Sequence, residues 1–191
     1  MSEKLYKYRD LKNFRRFVDI ILKNRLYASK YNKMNDPMEG HYFYWNGTLD
    51  TSVIEKLKSE KEKLRICSLS LDSQNELMWN LYANKHRGVV IEVEIENTYC
   101  IESINYEDDL LTISNSNFAS LPAKKILTIK YKSWEYEKEK RVFIEGGSMY
   151  VDVNITRVIT GKSMSDIDYG FVKLLIEKIN SNICVIREED Q

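Results

Sequence analysis

The sequence predicts an α+β fold: a single domain over residues 1–191 with a mixed, mainly antiparallel sheet, which could divide into two small sheets, and about four or five helices. Several short segments alternate apolar and polar residues, as strands with one buried face do. The helical patterns do not fall between every pair of strands, which argues against a regular βαβ order. With 191 residues, 2 Pro and 7 Gly, the chain fits one domain and leaves little room for linkers.

The middle of the chain is predicted to form a strand, a helix, a turn and a second strand. Residues 65–71 alternate apolar and small polar side chains, as a half-buried strand does. Ser73 and Glu76 match the capping box that opens a helix. Gly88 then turns the chain into a strand over residues 89–95. The helix residues expected to face the core are Leu77, Met78, Leu81 and Tyr82.

The first part of the chain is predicted to contain three strands and two helices. Residues 5–9 form the first strand, and Asp10 is expected to cap the helix that follows. Residues 26–29 form the next strand, residues 41–45 form another, and residues 50–63 have the pattern of a charged surface helix.

The last part of the chain predicts further strands and two helices. One helix is expected to begin at Pro122 and to end near residue 129. The other spans residues 165–180, with Ile167, Phe171, Leu174, Leu175 and Ile179 on its buried side. The predicted strands cover residues 99–106, 142–144, 149–153, 155–160 and 183–186.

Composition narrows the function classes. Basic and acidic residues both number 29, so the formal net charge is zero, and we expect no strong nucleic-acid signal from bulk charge, although a local basic groove stays open. No apolar run is long enough to span a bilayer, so we expect no membrane association. The 3 cysteines are widely separated, which favours reduced thiols and a cytoplasmic location. The sequence has only 2 histidines and no paired cysteines, so we expect no metal.

Three polar groups lie at the edges of predicted strands. Arg9 ends the first strand beside Tyr6 and Tyr8, and its planar guanidinium suits a phosphate or carboxylate. The other two groups are a pair of hydroxyls on one strand face and a pair of carboxylates followed by an arginine. A cation, hydroxyls and carboxylates suit a phosphate-bearing ligand whose glycosidic bond ionises through an oxocarbenium-like state. The hydroxyl pair is Ser68 and Ser70, and the carboxylate pair with its following arginine is Glu137, Glu139 and Arg141.

Each group also has a purely structural interpretation. Arg9 could be a surface residue or an ion-pair partner. The charged run over residues 135–141 could be a solvated, salt-bridged face. Trp79 and Tyr82 could belong to the core, and the serines could bond only to neighbouring backbone.

Several short motifs together resemble a bacterial family known as domain of unknown function 2971. The motifs occur in order over nearly the whole chain. They are Leu5-Tyr6-Lys7-Tyr8-Arg9, Leu26-Tyr27-Ala28-Ser29, Asn35-Asp36-Pro37-Met38-Glu39-Gly40, Cys67-Ser68-Leu69-Ser70, Met78-Trp79-Asn80-Leu81-Tyr82-Ala83, Gly88-Val89-Val90-Ile91-Glu92, and Trp134 with Glu137-Lys138-Glu139-Lys140-Arg141.

The motif order is similar to that of the ADP-ribosyltransferase superfamily. The resemblance implies an NAD-consuming enzyme that transfers or hydrolyses ADP-ribose and releases nicotinamide. Arg9, beside Tyr8, would contact an NAD phosphate, and Glu139 would bond the ribose and stabilise the cation left by nicotinamide. Glu137 would orient the acceptor. The nicotinamide-ribose pocket would be shaped by Ser68 and Ser70, and Trp79 or Tyr82 would stack on the nicotinamide. The middle motif departs from the commoner Ser-Thr-Ser by having Leu69 at its centre.

Two functional hypotheses therefore stand side by side. The first is an ADP-ribosyltransferase or NAD glycohydrolase with NAD as substrate and a macromolecular acceptor; the resemblance adds a toxin or phage-defence role. The second is a non-catalytic module of a bacterial defence system that binds a nucleotide or partner protein. In the second, Arg9, Trp79 and Arg141 would form a recognition patch, and the carboxylates would pair with Arg141 or Lys140.

Overall fold

A computed structural model describes residues 3–116 and 123–191 of the chain. These residues form the predicted α+β fold around a mixed, mainly antiparallel sheet. The helices are α1 (Phe14–Lys23), α2 (Thr51–Lys63), α3 (Glu76–Tyr82), α4 (Ala123–Ile126) and α5 (Asp166–Ile179). The strands are β1 (Leu5–Arg9), β2 (Arg25–Tyr27), β3 (Leu64–Ser70), β4 (Val89–Glu94), β5 (Cys100–Ser103), β6 (Asn105–Glu107), β7 (Ile129–Tyr131), β8 (Glu139–Glu145), β9 (Tyr150–Asp152), β10 (Asn154–Thr160) and β11 (Cys184–Arg187).

The main sheet has seven strands in the order β11-β10-β4-β1-β3-β8-β5. Only β10 and β11 pair in parallel, and the other neighbours in this sheet are antiparallel. The strands β2 and β9 form a small antiparallel sheet, and β6 and β7 form a small parallel one. The largest apolar core lies on one face of the main sheet beneath α1 and α5, with Phe17, Ile21, Val172 and Ile176 buried in it.

The main sheet is weakest between β1 and β3. Their only paired residues are Tyr6 and Ser70, whereas β1 pairs with β4 at five positions and β3 with β8 at seven. Beyond this single pair the Lys7 ammonium donates a hydrogen bond of 2.7 Å to the carbonyl oxygen of Ser68. The sheet therefore remains continuous, but a gap opens at its centre where β1 leaves β3.

Two helices begin later than the sequence pattern predicts. Asn13, not Asp10, caps α1, because its side chain accepts from the amide of Arg16 while Asp10 accepts from Lys12 in a preceding turn. Asn75, rather than the predicted Ser73, caps α3. The amide side chain of Asn75 accepts from the backbone of the first turn, and the Ser73 carbonyl instead accepts from the Trp79 indole.

The predicted buried faces of two helices are partly wrong. Met78 of α3 is buried as expected, but Leu77 and Leu81 are 48% and 57% exposed. In α5, Leu175 and Ile179 are partly buried against the main core, whereas three residues predicted to face the core are exposed. The fully buried residues of α5 are Val172 and Ile176, because the helix is rotated so that this apolar stripe faces the sheet. The exposed α5 residues are Ile167, Phe171 and Leu174.

Three predicted elements differ in extent. Residues 41–45 are not a strand; Phe43 makes one isolated bridge with Thr112, and the neighbouring Tyr44 and Trp45 are exposed. The predicted strand over residues 99–106 is two short strands, β5 and β6, that pair with different partners. Pro122 lies outside the described residues, and the helix there is described from Ala123 onward. Among the described residues, none of the helices has the length and apolar character needed to cross a bilayer.

Candidate functional site

A cleft of about 970 Å³ is bordered by β1 and β3, next to their single paired position. Side chains from α1, β2 and the β7–β8 region complete its lining. Trp79 and Arg141 do not line it, since both are fully enclosed. The other residues predicted for the site all line this one cleft: Tyr8, Arg9, Ser68, Ser70, Tyr82, Glu137 and Glu139.

Arg9 contributes a charge without a partner. Within the described part of the chain its side chain makes no ion pair, and its buried Nε has no hydrogen-bond partner. Burial lowers the pKa of Arg9, but a guanidinium remains charged in proteins. A buried donor that finds no partner costs free energy, so this position is suited to an anion entering the cleft.

Gly88 fixes the backbone beneath Arg9. Arg9 pairs with Val89 at the start of β4, and a Cβ at position 88 would lie 2.2 Å from the Arg9 carbonyl oxygen. Only glycine allows this close approach of two backbones. The turn that the sequence assigned to Gly88 therefore also positions the end of β1.

The two serines of β3 have different roles. The Ser70 hydroxyl donates to the carbonyl oxygen of Glu137 at 2.7 Å and accepts from the Asp72 amide at 3.1 Å, so it holds two backbone segments together. The Ser68 hydroxyl is buried and has no hydrogen-bond partner among the described residues. Its interaction with the Glu139 carboxylate falls short of normal hydrogen-bond geometry but still helps to lower the pKa of that group. Ser68 is thus a second polar group beside the cleft whose hydroxyl lacks a hydrogen bond of normal geometry among the described residues.

The inner end of the cleft carries the two predicted carboxylates, held by one lysine. The Lys130 ammonium lies 2.6 Å from Glu137 Oε2 and 3.2 Å from Glu139 Oε2. Glu137 ends a 3-10 helix and Glu139 begins β8. Lys138 between them is left-handed, with a φ of 43°, and the two flanking carboxylates meet at Lys130. The sequence analysis expected strand alternation to place both carboxylates on one face. In the structure, the turn at Lys138 brings them together instead.

Arg141 supports Glu139 from behind. Its Nε donates to Glu139 Oε1 at 2.8 Å, and its two terminal nitrogens donate to Glu39 at 2.6 and 2.7 Å. It also donates to the carbonyl oxygen of Leu127. We call Glu39, Lys130, Glu137, Glu139 and Arg141 the inner charge cluster; its three carboxylates and two cations carry a formal charge of −1.

The inner charge cluster favours the ionised forms of Glu139 and Lys130. Burial raises the pKa of Glu139, but the charges of Arg141 and Lys130 outweigh it and hold that pKa at about 2. Burial lowers the pKa of Lys130, but the charges of Glu139 and Glu137 raise it by more than burial lowers it. The pKa of Lys130 is therefore above its usual value, and the ammonium stays protonated. Burial and the hydrogen bond to Glu137 raise the pKa of Tyr82, whose hydroxyl donates to Glu137 Oε1 at 2.6 Å.

Trp79 cannot meet a ligand in this structure, so its predicted stacking on nicotinamide is wrong. Its indole donates to Ser73, and its ring packs against Tyr8 and His86 with centroids 5.5 and 5.6 Å away. Tyr8 lines the cleft but is only 5% exposed, and its hydroxyl donates to the Asp72 carbonyl. Tyr82 is the predicted aromatic residue that remains partly exposed at the cleft.

Two structural expectations are also corrected. The charged run over residues 135–141 is not simply a solvated face, since Glu137, Glu139 and Arg141 are buried. A recognition patch that includes Trp79 and Arg141 is wrong, because neither side chain reaches the surface. The expected pairing of a carboxylate with Arg141 does occur through Glu139, whereas Lys140 pairs with Glu3.

Sequence reasoning missed Lys130 and the role of Glu39. Lys130 is a charged residue between the apolar Ile129 and the aromatic Tyr131. Glu39 lies in the turn motif over residues 35–40. A lone charge in an apolar strand is a signal for a buried ion pair. That signal could have identified Lys130 as a buried ion, but not the whole cluster, in which Glu39 and Arg141 are separated by 102 positions in the sequence.

A second group of ionisable residues lies outside the cleft. The buried His86 contacts Glu76 through Nε2 at 3.0 Å and Glu188 through Nδ1 at 2.9 Å. The two carboxylates contact opposite ring nitrogens, so His86 joins α3 to the C-terminal segment. One ligand atom from each of the three residues lies within 4.8 Å of the others, although such acidic groups are common without an ion.

The chain matches no protein-family model, no curated protein and no solved structure.

Proposed function

We propose that this protein binds NAD in the cleft and cleaves its nicotinamide-ribose bond. The observation that carries the proposal is that Arg9, Ser68 and Glu139 line one cleft, two of them with buried polar atoms that lack a partner in the described residues. Its volume of about 970 Å³ is at the upper end of the usual range for small-molecule and cofactor sites. The resemblance to ADP-ribosyltransferases supplies the choice of NAD among nucleotides and stays a prediction.

The reaction breaks the bond between the ribose C1′ and the nicotinamide nitrogen. The bonding electron pair leaves with nicotinamide, and an oxocarbenium-like cation develops on the ribose. The cation is then captured by water or by an acceptor group, which forms the new bond to C1′ and releases its proton. A fixed negative charge near C1′ stabilises this transition state more than the ground state.

The inner charge cluster is suited to that electrostatic role. Its formal charge is −1, and Glu139 remains ionised because of Arg141 and Lys130. The Ser68 hydroxyl beside it makes no hydrogen bond of normal geometry among the described residues and so can orient a ribose hydroxyl. At the other border of the cleft, Arg9 provides a fixed cation for a phosphate.

A specific observation favours the alternative, nucleotide binding without turnover. The oxygens of Glu137 and Glu139 are already engaged by Lys130, Arg141 and Tyr82. A carboxylate held this tightly has less freedom to bond a ribose or orient an acceptor. Binding of NAD with no nicotinamide release would support this alternative, whereas absence of both would contradict both hypotheses.

The test is nicotinamide release from NAD by the purified protein, measured by chromatography with and without cell lysate as a source of acceptors. We expect Glu139→Gln to abolish release, because the change keeps the side-chain shape and removes the charge. Ser68→Ala is the second variant, since the Ser68 hydroxyl makes no hydrogen bond of normal geometry among the described residues and its removal leaves the ion pairs of Glu139 in place. Glu55→Gln on the exposed surface of α2 is the matched control and should release nicotinamide at the parental rate. Parental rates from folded Glu139→Gln and Ser68→Ala would overturn the proposal.

A further inference from the structure

The fold concentrates positive charge in the cleft although the whole chain is neutral. Eight cationic side chains and three carboxylates line the cleft, which gives its lining a formal charge of +5. The net charge of the full sequence is zero, so the rest of the chain carries the compensating negative charge. The pyrophosphate of one dinucleotide would neutralise only part of this local charge.

Most of this charge lies on the outer rim, which we define as Arg15, Arg16, Lys23, Arg25, Tyr27, Lys33 and Tyr150. Arg15 and Arg16 are exposed on α1, and Lys33 is exposed on the segment after β2. In the described part of the chain these three residues form no ion pair. Lys23 and Arg25 share Asp19, the single carboxylate among the cleft residues contributed by α1.

Aromatic rings accompany the cations on the rim. Tyr27 is 53% exposed and packs edge-on against Tyr150 across the β2–β9 pair, with centroids 5.8 Å apart. The Arg25 guanidinium lies 3.7 Å from the centroid of the Tyr150 ring. An exposed tyrosine face beside a stacked guanidinium is the type of platform on which bases stack.

We infer that the outer rim binds single-stranded nucleic acid. Cations that follow a phosphate backbone, interleaved with exposed aromatic rings, are the features that recognise single strands. A duplex hides the faces of its bases from the tyrosines, and a lipid surface is flat whereas these cations line a concave cleft. The rim thus fits a class of macromolecular ligand, single-stranded nucleic acid, that the zero net charge of the chain does not indicate.

The inference does not depend on NAD turnover. The outer rim shares the cleft with Arg9 and Ser68 but involves neither of them, so a strand on the rim would lie next to the proposed nucleotide position. Loss of nicotinamide release with intact strand binding would contradict only the proposed function, and the reverse result would contradict only this inference.

The experiment is fluorescence anisotropy with a labelled 15-nucleotide oligothymidylate, titrated with the full-length protein over a series of NaCl concentrations. We expect Arg15→Gln combined with Arg16→Gln to weaken binding and to reduce the salt slope by about 1.4, because each lost phosphate contact on a single strand contributes about 0.7. Lys58→Gln combined with Lys63→Gln, on the exposed face of α2 outside the cleft, is the matched control and should bind as the parent does.

Tyr27→Ala tests the stacking component separately. We expect roughly tenfold weaker binding with an unchanged salt slope, because base stacking contributes to affinity without releasing counterions. Tyr44→Ala is the control, since Tyr44 is about as exposed but does not line the cleft.

Three results would overturn the inference. One is no binding of the oligonucleotide by the parent protein at low salt. Another is equal affinity and equal salt slope for the parent and the Arg15/Arg16 variant. The third is binding to vesicles containing phosphatidylserine with none to the oligonucleotide, which would assign the rim to a membrane surface instead.

Discussion

The two ends of the cleft differ in how far their charged side chains are paired with opposite charges. At the inner end, the cleft residue Lys130 and the enclosed Arg141 behind it are buried, and each contacts two carboxylates within 4 Å. Elsewhere in the cleft, Arg9, Arg15 and Arg16 form no ion pair among the described residues, while Lys23 and Arg25 share the single carboxylate of Asp19. The two ends belong to one continuous cavity, so the difference lies in how the fold has paired the charges.

The difference separates structural charges from charges available to a ligand. A buried ion that loses its partner is strongly destabilising, so the inner charge cluster constrains the fold. An unpaired cation at a cleft contributes little to folding and keeps its interaction energy for an incoming anion. Stability measurements should therefore respond to the inner end, and binding measurements to the outer side.

The largest stability effect should come from Arg141→Met. The variant leaves Glu39 and Glu139 buried without their arginine, and we expect a loss of about 3–5 kcal/mol in the free energy of unfolding. Urea denaturation measures it. Lys140→Met, at the neighbouring residue, breaks only the partly exposed pair with Glu3 and should cost less than about 1 kcal/mol. Equal losses from the two variants would mean that the inner charge cluster does not stabilise the fold as described.

A pH series sharpens the account of Glu139. Its pKa is depressed in the folded state, so its contribution to stability is present above the unfolded pKa and disappears as pH falls toward about 2. Burial raises the pKa of Glu39, which acts in the opposite direction. We therefore expect the difference in unfolding free energy between the parent and Glu139→Gln to shift against the parent as pH falls from 5 to about 2. A difference that stays constant over this range would contradict the assigned ion pairs.

The two serines of β3 provide the finest comparison. Ser70→Ala removes two backbone hydrogen bonds and should cost about 1–3 kcal/mol. Ser68→Ala removes a buried hydroxyl that makes no hydrogen bond of normal geometry among the described residues and only assists the Glu139 charge, so we expect a smaller loss of unfolding free energy than for Ser70→Ala. Urea denaturation of both variants decides the matter. If Ser68→Ala is as destabilising as Ser70→Ala, the Ser68 hydroxyl has a structural partner and is not available to a ligand.

The fold class was predictable from the sequence because strand alternation and helix periodicity are local patterns. The same patterns failed for α5, whose two apolar stripes are both consistent with burial; packing against the sheet selected Val172 and Ile176 and left Phe171 exposed. Helix starts failed where two capping residues lay close together, as with Ser73 and Asn75. Local propensity offers no means of choosing between such neighbours.

The candidate site was predictable in its chemistry more than in its contacts. Arg9, Ser68 and Glu139 do line one cleft, but their grouping depends on strand order, which no local pattern contains. The enclosure of Trp79 and the involvement of Lys130 depend equally on tertiary packing. Composition could not predict the basic rim, because a net charge of zero gives no information about where the charges lie in the fold.

The most direct test of the contrast between paired and unpaired charge is calorimetric titration of NAD into the parent protein and Arg9→Gln, with a thermal unfolding curve for each. Arg9 forms no ion pair in the described structure and its buried Nε has no partner, so we predict at least roughly tenfold weaker NAD binding with an unchanged or higher unfolding midpoint. Arg87→Gln, an exposed arginine outside the cleft, should bind NAD as the parent does. Equal affinity for the parent and Arg9→Gln, or no NAD binding by the parent, would contradict the account.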